Sequence, residues 1–91
     1  MEEHITNTII NLIIYEKIEE NEIFFTEENK NDDFYYIIEK GKIEFCIDDD
    51  LYELNELNGI STQNLLNHSK HKCYIKSEEK TFLYVFPLFK Y

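Results

Sequence analysis

The sequence predicts a mainly β protein, an antiparallel sandwich or barrel of short strands, and three observations carry that reading. The 91 residues include seven Phe, seven Tyr and thirteen Ile, side chains that pack well on a pleated surface. Gly occurs twice and Pro once, which excludes flexible linkers and collagen-like or Pro-rich segments. Short runs of β-forming residues recur along the chain, separated by polar clusters with turn chemistry. At 43% apolar the chain is too hydrophobic for a disordered tail, and at this length it forms one domain, residues 1–91.

The elements follow in order. Ile5, Ile9, Leu12 and Ile13 recur at helical spacing, so residues 3 to 11 predict a short N-terminal amphipathic helix. Strand-like runs then cover Leu12–Ile18, Glu22–Thr26, Phe34–Glu39, Lys42–Asp48, Leu51–Leu54, Lys72–Lys76 and Thr81–Phe86. In Lys42–Asp48, Ile43, Phe45 and Ile47 face one way while Glu44, Cys46 and Asp48 face the other. Lys40-Gly41 reads as a tight hairpin with Gly41 supplying a positive φ, and Asp48-Asp49-Asp50 as a second hairpin tip. Asn21 and Asn29 are residues that tolerate a left-handed turn. One segment breaks the pattern. Ser61-Thr62-Gln63-Asn64-Leu65-Leu66 opens with two N-capping residues and predicts a short inserted helix over 61–66.

Charge narrows the function classes. The net charge is −10 and the chain contains no Arg, so its surface repels nucleic-acid phosphate and anionic lipid and lacks a planar fork for phosphate. No acid lies between Leu57 and Ser77, a window that holds His68, Lys70, His71, Lys72 and Lys76. This window is the candidate seat for an anion, with a solvated loop as the plainer alternative. The N–H groups that open the inserted helix would face the same anion. No apolar segment approaches the roughly 20 residues of a spanning helix, and Met1-Glu2-Glu3-His4 lacks the features of a secretory signal. The chain therefore reads as cytoplasmic, with no membrane insertion and no nucleic-acid partner. Cys46 and Cys73 lie in alternating apolar runs and read as free thiols acting as small hydrophobes. His68, His71 and Cys73 lack the spacing of a zinc site, and no metal is expected.

The stretch Asn31-Asp32-Asp33-Phe34-Tyr35-Tyr36-Ile37-Ile38-Glu39-Lys40-Gly41-Lys42-Ile43-Glu44-Phe45 is similar to G-D-x-F-Y-x-I-x-x-G-x-V-x-V, and the later apolar positions Leu54, Leu65, Leu66 and Thr81–Phe86 keep the matching spacing. That hairpin and the order of elements resemble the cyclic-nucleotide-binding domains of kinase regulatory subunits, ion channels and bacterial transcription activators. The resemblance covers nearly the whole chain and implies a jelly roll with a phosphate-binding helix inserted before the last strands. It maps a degenerate phosphate cassette onto Gly59, Ile60, Ser61, Thr62, Gln63, Asn64, Leu65, Lys70, His71, Lys72 and Cys73. Thr62 falls where the family places the Glu that accepts the ribose hydroxyl, His71 where it places the phosphate-clamping Arg, and Cys73 on its small residue. Asn29 falls where the family often has Gly. Charged hydrogen bonds contribute roughly 1.5–3 kcal/mol each, so losing both partners weakens binding by about 10² to 10⁴. Thr62→Glu with His71→Arg is the pair of changes that the resemblance suggests would restore them. The chain also stops at Tyr91, where the family usually continues into a lid helix, so the resemblance predicts partly exposed apolar side chains near Leu65, Leu66, Phe82 and Phe89.

The functional expectation is a cyclic-nucleotide-binding-like regulatory or interaction module with weak or lost binding of cAMP and cGMP and no other cofactor. It would act through a protein partner or neighbouring domain packed on the lid-less pocket face. The alternative is a working sensor of a cyclic nucleotide or small anion in a signalling protein such as a cyclic-nucleotide-dependent kinase. An enzyme is not expected: three His and two Cys stand in no hydrolase arrangement, and His68-x-x-His71 does not match the ligand spacing of the metal-dependent cupins.

Overall fold

Branched and aromatic residues at every second position form strands, and polar turns between them force the chain back and forth across a shared core. The computed structural model describes residues 13–88, so the helix expected over residues 3–11 lies outside the described residues. Among the described residues are eight strands: β1 Ile14–Ile18, β2 Ile23–Thr26, β3 Phe34–Lys40, β4 Ile43–Ile47, β5 Asp50–Leu54, β6 Gly59–Ser61, β7 Cys73–Ser77 and β8 Thr81–Pro87. A 3₁₀ turn, Glu27–Asn29, follows β2, and helix α1, Thr62–His68, joins β6 to β7. The strands form two antiparallel four-stranded sheets, ordered β1-β8-β3-β6 and β2-β7-β4-β5. Every connection except β4–β5 carries the chain from one sheet to the other, which is the winding of a jelly roll.

This winding corrects the reading of Lys40-Gly41. The two residues do not close a hairpin, because β3 and β4 belong to different sheets. Gly41 has φ +114°, and a Cβ there would lie 2.5 Å from Thr81 Oγ1 and 2.8 Å from Thr81 Cα. Glycine is required by both the dihedral and the approach of β8. The Asp48 tip does form a hairpin, with Asp48 at φ 55°, joining β4 to β5 in direct register. Asn21 is left-handed at φ 64° as its type suggests. Asn29 is not, and instead accepts the Thr26 N–H at 3.0 Å to cap the 3₁₀ turn. β6 escaped the sequence reading because three residues are too few to show alternation.

The inward positions of both sheets meet in one core. Ile38, Ile43, Ile75 and Leu83 are completely buried, with Phe25, Tyr36, Ile60, Leu65, Cys73 and Val85 packed around them. Each such large side chain contributes roughly 1.5–3 kcal/mol of burial. In β4, Ile43 faces the core as its alternation predicts, but Cys46 is buried too, its thiol donating to the Asp48 carbonyl at 3.0 Å. Of the side chains expected to be partly exposed, Leu65 instead lies in the core, Leu66 and Phe82 are half-buried, and Phe89 lies outside the described residues.

Three buried hydroxyls tie the crossings together. Ser77 Oγ accepts the Glu22 N–H at 3.1 Å and donates to the Glu19 carbonyl, closing β1–β2. Thr62 Oγ1 accepts the Phe34 N–H at 3.0 Å and donates to the Asp32 carbonyl at 3.3 Å, closing β2–β3. Thr81 Oγ1 accepts the Lys42 N–H at 3.2 Å and donates to the Glu79 carbonyl at 2.8 Å, closing β3–β4.

Two outcomes follow for stability. Thr81→Val keeps the shape but strands the Lys42 N–H, and urea unfolding is expected to show a loss of about 1–3 kcal/mol, less for Thr81→Ser. Gly41→Ala is expected to cost about 2 kcal/mol or more, since the residue must leave its dihedral or push β8 away. A midpoint unchanged in either variant would refute the corresponding assignment.

Candidate functional site

The two sheets part at one end, where the edge strands β5 and β6 leave a gap partly roofed by α1. The gap is a cavity of about 460 Å³. Phe45 and Ile47 of β4 and Tyr52 and Leu54 of β5 form one wall, with Phe45 and Tyr52 stacked at 5.1 Å between ring centroids. The opposite wall is Gly59, Ile60 and Ser61 of β6, with Tyr35 of β3 and Asn64, Leu65 and His68 of α1. Tyr35 lies across Gly59 so closely that a Cβ on the glycine would stand 2.6 Å from the phenol oxygen. Ser61 caps the helix by accepting the Asn64 N–H at 3.2 Å. His68 Nδ1 lies 2.7 Å from the Asn64 carbonyl, which can only accept, so Nδ1 carries the proton and Nε2 is the free ring nitrogen.

Of the candidate site residues singled out from the sequence, Gly59, Ile60, Ser61, Asn64, Leu65 and His68 line this cavity. The others serve elsewhere. Thr62 is fully buried and holds the 32–34 backbone, so its side chain is not available to a ribose. Gln63 borders a separate depression beside Lys30, Asp33 and Pro87. Cys73 is a core residue whose N–H donates to Glu27 Oε1 at 3.0 Å. Burial pushes the thiols of Cys73 and Cys46 up, which leaves neither a ready nucleophile.

Lys70, His71 and Lys72 do bind an anion, and the protein supplies it. The Asp48 carboxylate accepts the Lys70 N–H at 3.1 Å on each oxygen, the His71 N–H at 2.7 Å and the Lys72 N–H at 3.2 Å. The His71 N–H, then that of Lys70, hold the Asp48 carboxyl below its usual range. Glu27 is lowered in the same way, chiefly by the Cys73 N–H. Among the side chains, Lys72 Nζ lies 3.9 Å from Asp49 and Lys76 Nζ 3.9 Å from Glu44. Glu44 also accepts from the Tyr74 hydroxyl at 2.8 Å, which pushes that phenol up to about 12. No lysine side chain lines the cavity, whose wall is aromatic and aliphatic with Ser61, Asn64 and His68 as its polar members. Among the described residues no His, Cys, Asp or Glu cluster has the arrangement of a metal site.

No protein-family model and no curated protein matches the sequence. Solved structures do match in fold. A mutant of CooA from Carboxydothermus hydrogenoformans superposes with a TM-score of 0.63 at 14% identity, covering 96% of this chain and 55% of that one. What the two share is the fold, an antiparallel β-roll. SPY1581 from Streptococcus pyogenes, a conserved protein of unknown function, superposes on this roll with a TM-score of 0.54 at 15% identity, over 87% of this chain and 65% of that one. The chain thus spans little more than half the length of the first structure and under two thirds of the second.

Sequence reasoning passed over Tyr35, Tyr52 and Asp48. The signal for Tyr52 was present: the Asp48-Asp49-Asp50 tip sets the β4–β5 register and places Tyr52 opposite Phe45. Nothing local marks Asp48 as the partner of a loop more than twenty residues away.

Opposite pH effects follow from two groups of carboxylates. Asp48 and Glu27 have lowered folded pKa values, so their stabilisation is present above the unfolded value of about 4 and is lost as pH falls through the folded value. Burial, then the neighbouring Glu53 carboxyl, raises Glu78, whose Oε2 has no hydrogen-bond partner. Its ionisation above the unfolded value therefore destabilises the fold. Thermal melts across pH 3–8 are expected to show Glu78→Gln raising the midpoint at neutral pH but not in acid. Asp48→Gly, which suits the left-handed φ, should lower it at neutral pH, with the difference from the parent protein shrinking in acid. A pH-independent effect of either change would contradict these roles.

Proposed function

We propose that this chain is a regulatory or interaction module built on a cyclic-nucleotide-binding-like roll, with weak or lost binding of cAMP and cGMP, that acts through protein contacts within a larger regulator or assembly. The observation that carries the reading is the commitment of the Lys70, His71 and Lys72 N–H groups to Asp48, beside a cavity lined by no lysine side chain. A cyclic phosphate entering that cavity would exchange water for a largely apolar wall that holds no lysine, a net cost without a compensating ammonium. The burial of Thr62 argues the same way for the ribose. Thr62→Glu would bury a carboxylate in place of a satisfied hydroxyl, so the two changes that the resemblance suggested are expected to unfold the roll rather than restore binding.

A protein contact at the cavity mouth is supported by its exposed aromatic lining, where Tyr35 is 38% and Tyr52 46% accessible, and a second exposed apolar side chain, Leu57 on the β5–β6 turn, is 85% accessible. Leu57 also holds a left-handed φ of 68°, an unfavourable conformation for a bulky residue. A non-enzymatic role belongs to this proposal. No described helix is long and apolar enough to cross a membrane, and a cytoplasmic setting belongs to this proposal.

The second reading, a small-ligand sensor, is favoured by one observation: the cavity has the size of ordinary ligand pockets and carries a stacked Phe45–Tyr52 pair next to Asn64 and His68. Calorimetric titration separates the two readings. Dissociation constants for cAMP and cGMP weaker than roughly 100 μM are expected, about −5.5 kcal/mol. Submicromolar binding of either nucleotide would overturn the first reading in favour of the second.

A further inference from the structure

The Asp48 contact has the form of an occupied anion site. Backbone N–H groups of three consecutive residues, Lys70, His71 and Lys72, converge on one carboxylate, and its Oδ1 receives all three. Such a concave run of amides is a nest, the backbone device that holds phosphates and other oxyanions. The loop supplies further positive charge through the exposed side chains of Lys70, His71 and Lys72, and no acid lies in its own segment from Leu57 to Ser77. The carboxylate arrives from the other side, on the left-handed tip of the β4–β5 hairpin, and the Asp48 N–H returns a bond to the Lys72 carbonyl at 2.8 Å.

We propose that Asp48 is a resident anion: its carboxylate fills an oxyanion nest in the 70–72 backbone and holds it shut, so that a phosphoryl group binds there only by displacing the β4–β5 tip. Displacement has a direct route to the cavity. Ile47, next to Asp48, and His68, just before the loop, both line its walls. An anion that took the nest would therefore release one wall of the cavity from the other. This device stands apart from whether the cavity itself binds a nucleotide, since it concerns the loop amides alone.

The test empties the nest without straining the turn. Asp48→Gly suits the left-handed φ and removes the carboxylate. In the parent protein, inorganic phosphate is expected to leave the amide resonances of Lys70, His71 and Lys72 nearly unmoved. In Asp48→Gly the same three resonances should shift saturably with a dissociation constant in the millimolar range, at least ten times tighter than in the parent. Phosphate should also recover thermal stability that chloride at equal ionic strength does not. Running O-phosphoserine in parallel distinguishes a free ion from a phosphate ester as the preferred source. Should Asp48→Gly fail to fold, Asp48→Asn keeps an acceptor on the turn without its charge, and its 70–72 amides should still respond more strongly than those of the parent. A folded variant of either kind whose loop amides ignore both probes would overturn the proposal, whatever calorimetry shows for cAMP.

Discussion

Hydroxyl groups sealed inside the protein hold the roll at the points where its chain changes sheets. Ser77, Thr62 and Thr81 are the fully buried polar side chains among the described residues, and they bind the β1–β2, β2–β3 and β3–β4 crossings in turn. A jelly roll needs such anchors because its crossings expose backbone N–H and C=O groups that neither sheet can pair. A buried amide left without a partner costs roughly 1–3 kcal/mol, comparable to burying a large side chain, so the anchors matter as much as the core. The core itself is modest, as the length requires, and Ile38, Ile43, Ile75 and Leu83 form its centre.

The same economy of polar groups shapes the cavity. The groups that the resemblance assigned to phosphate and ribose already have partners within the protein: Thr62 holds the 32–34 backbone, Ser61 caps α1, and the 70–72 amides hold Asp48. What remains at the open end of the sandwich is a stacked aromatic pair, a histidine whose tautomer is set by the Asn64 carbonyl, and an apolar rim. The roll thus keeps an open end while its buried hydroxyl and loop amides are committed to internal contacts.

Local pattern made much of this legible. Short runs of branched and aromatic residues between polar turn clusters located seven of the strands to within two residues, because such side chains pack on a pleated surface and the turns mark its ends. Ser61 announced the helix, since a hydroxyl that satisfies an early N–H is needed wherever a helix starts. Reading went astray where the outcome depended on distant partners. Lys40-Gly41 looks like a hairpin from its own residues, yet the approach of Thr81 turns it into a sheet crossing. Lys70, His71 and Lys72 look like donors awaiting a ligand, and Asp48 was already there.

By itself, then, the sequence determined the class of fold, the strands, the inserted helix and the uneven distribution of charge, because each depends on periodicity or composition within a short window. Tertiary structure alone decided which sheet each strand joined, which polar groups remained free and what lined the cavity. The reason is range: a hydrogen bond such as His71 N–H to Asp48 joins residues 23 apart in sequence, and no local pattern records which acceptor a folded chain will bring to a given donor.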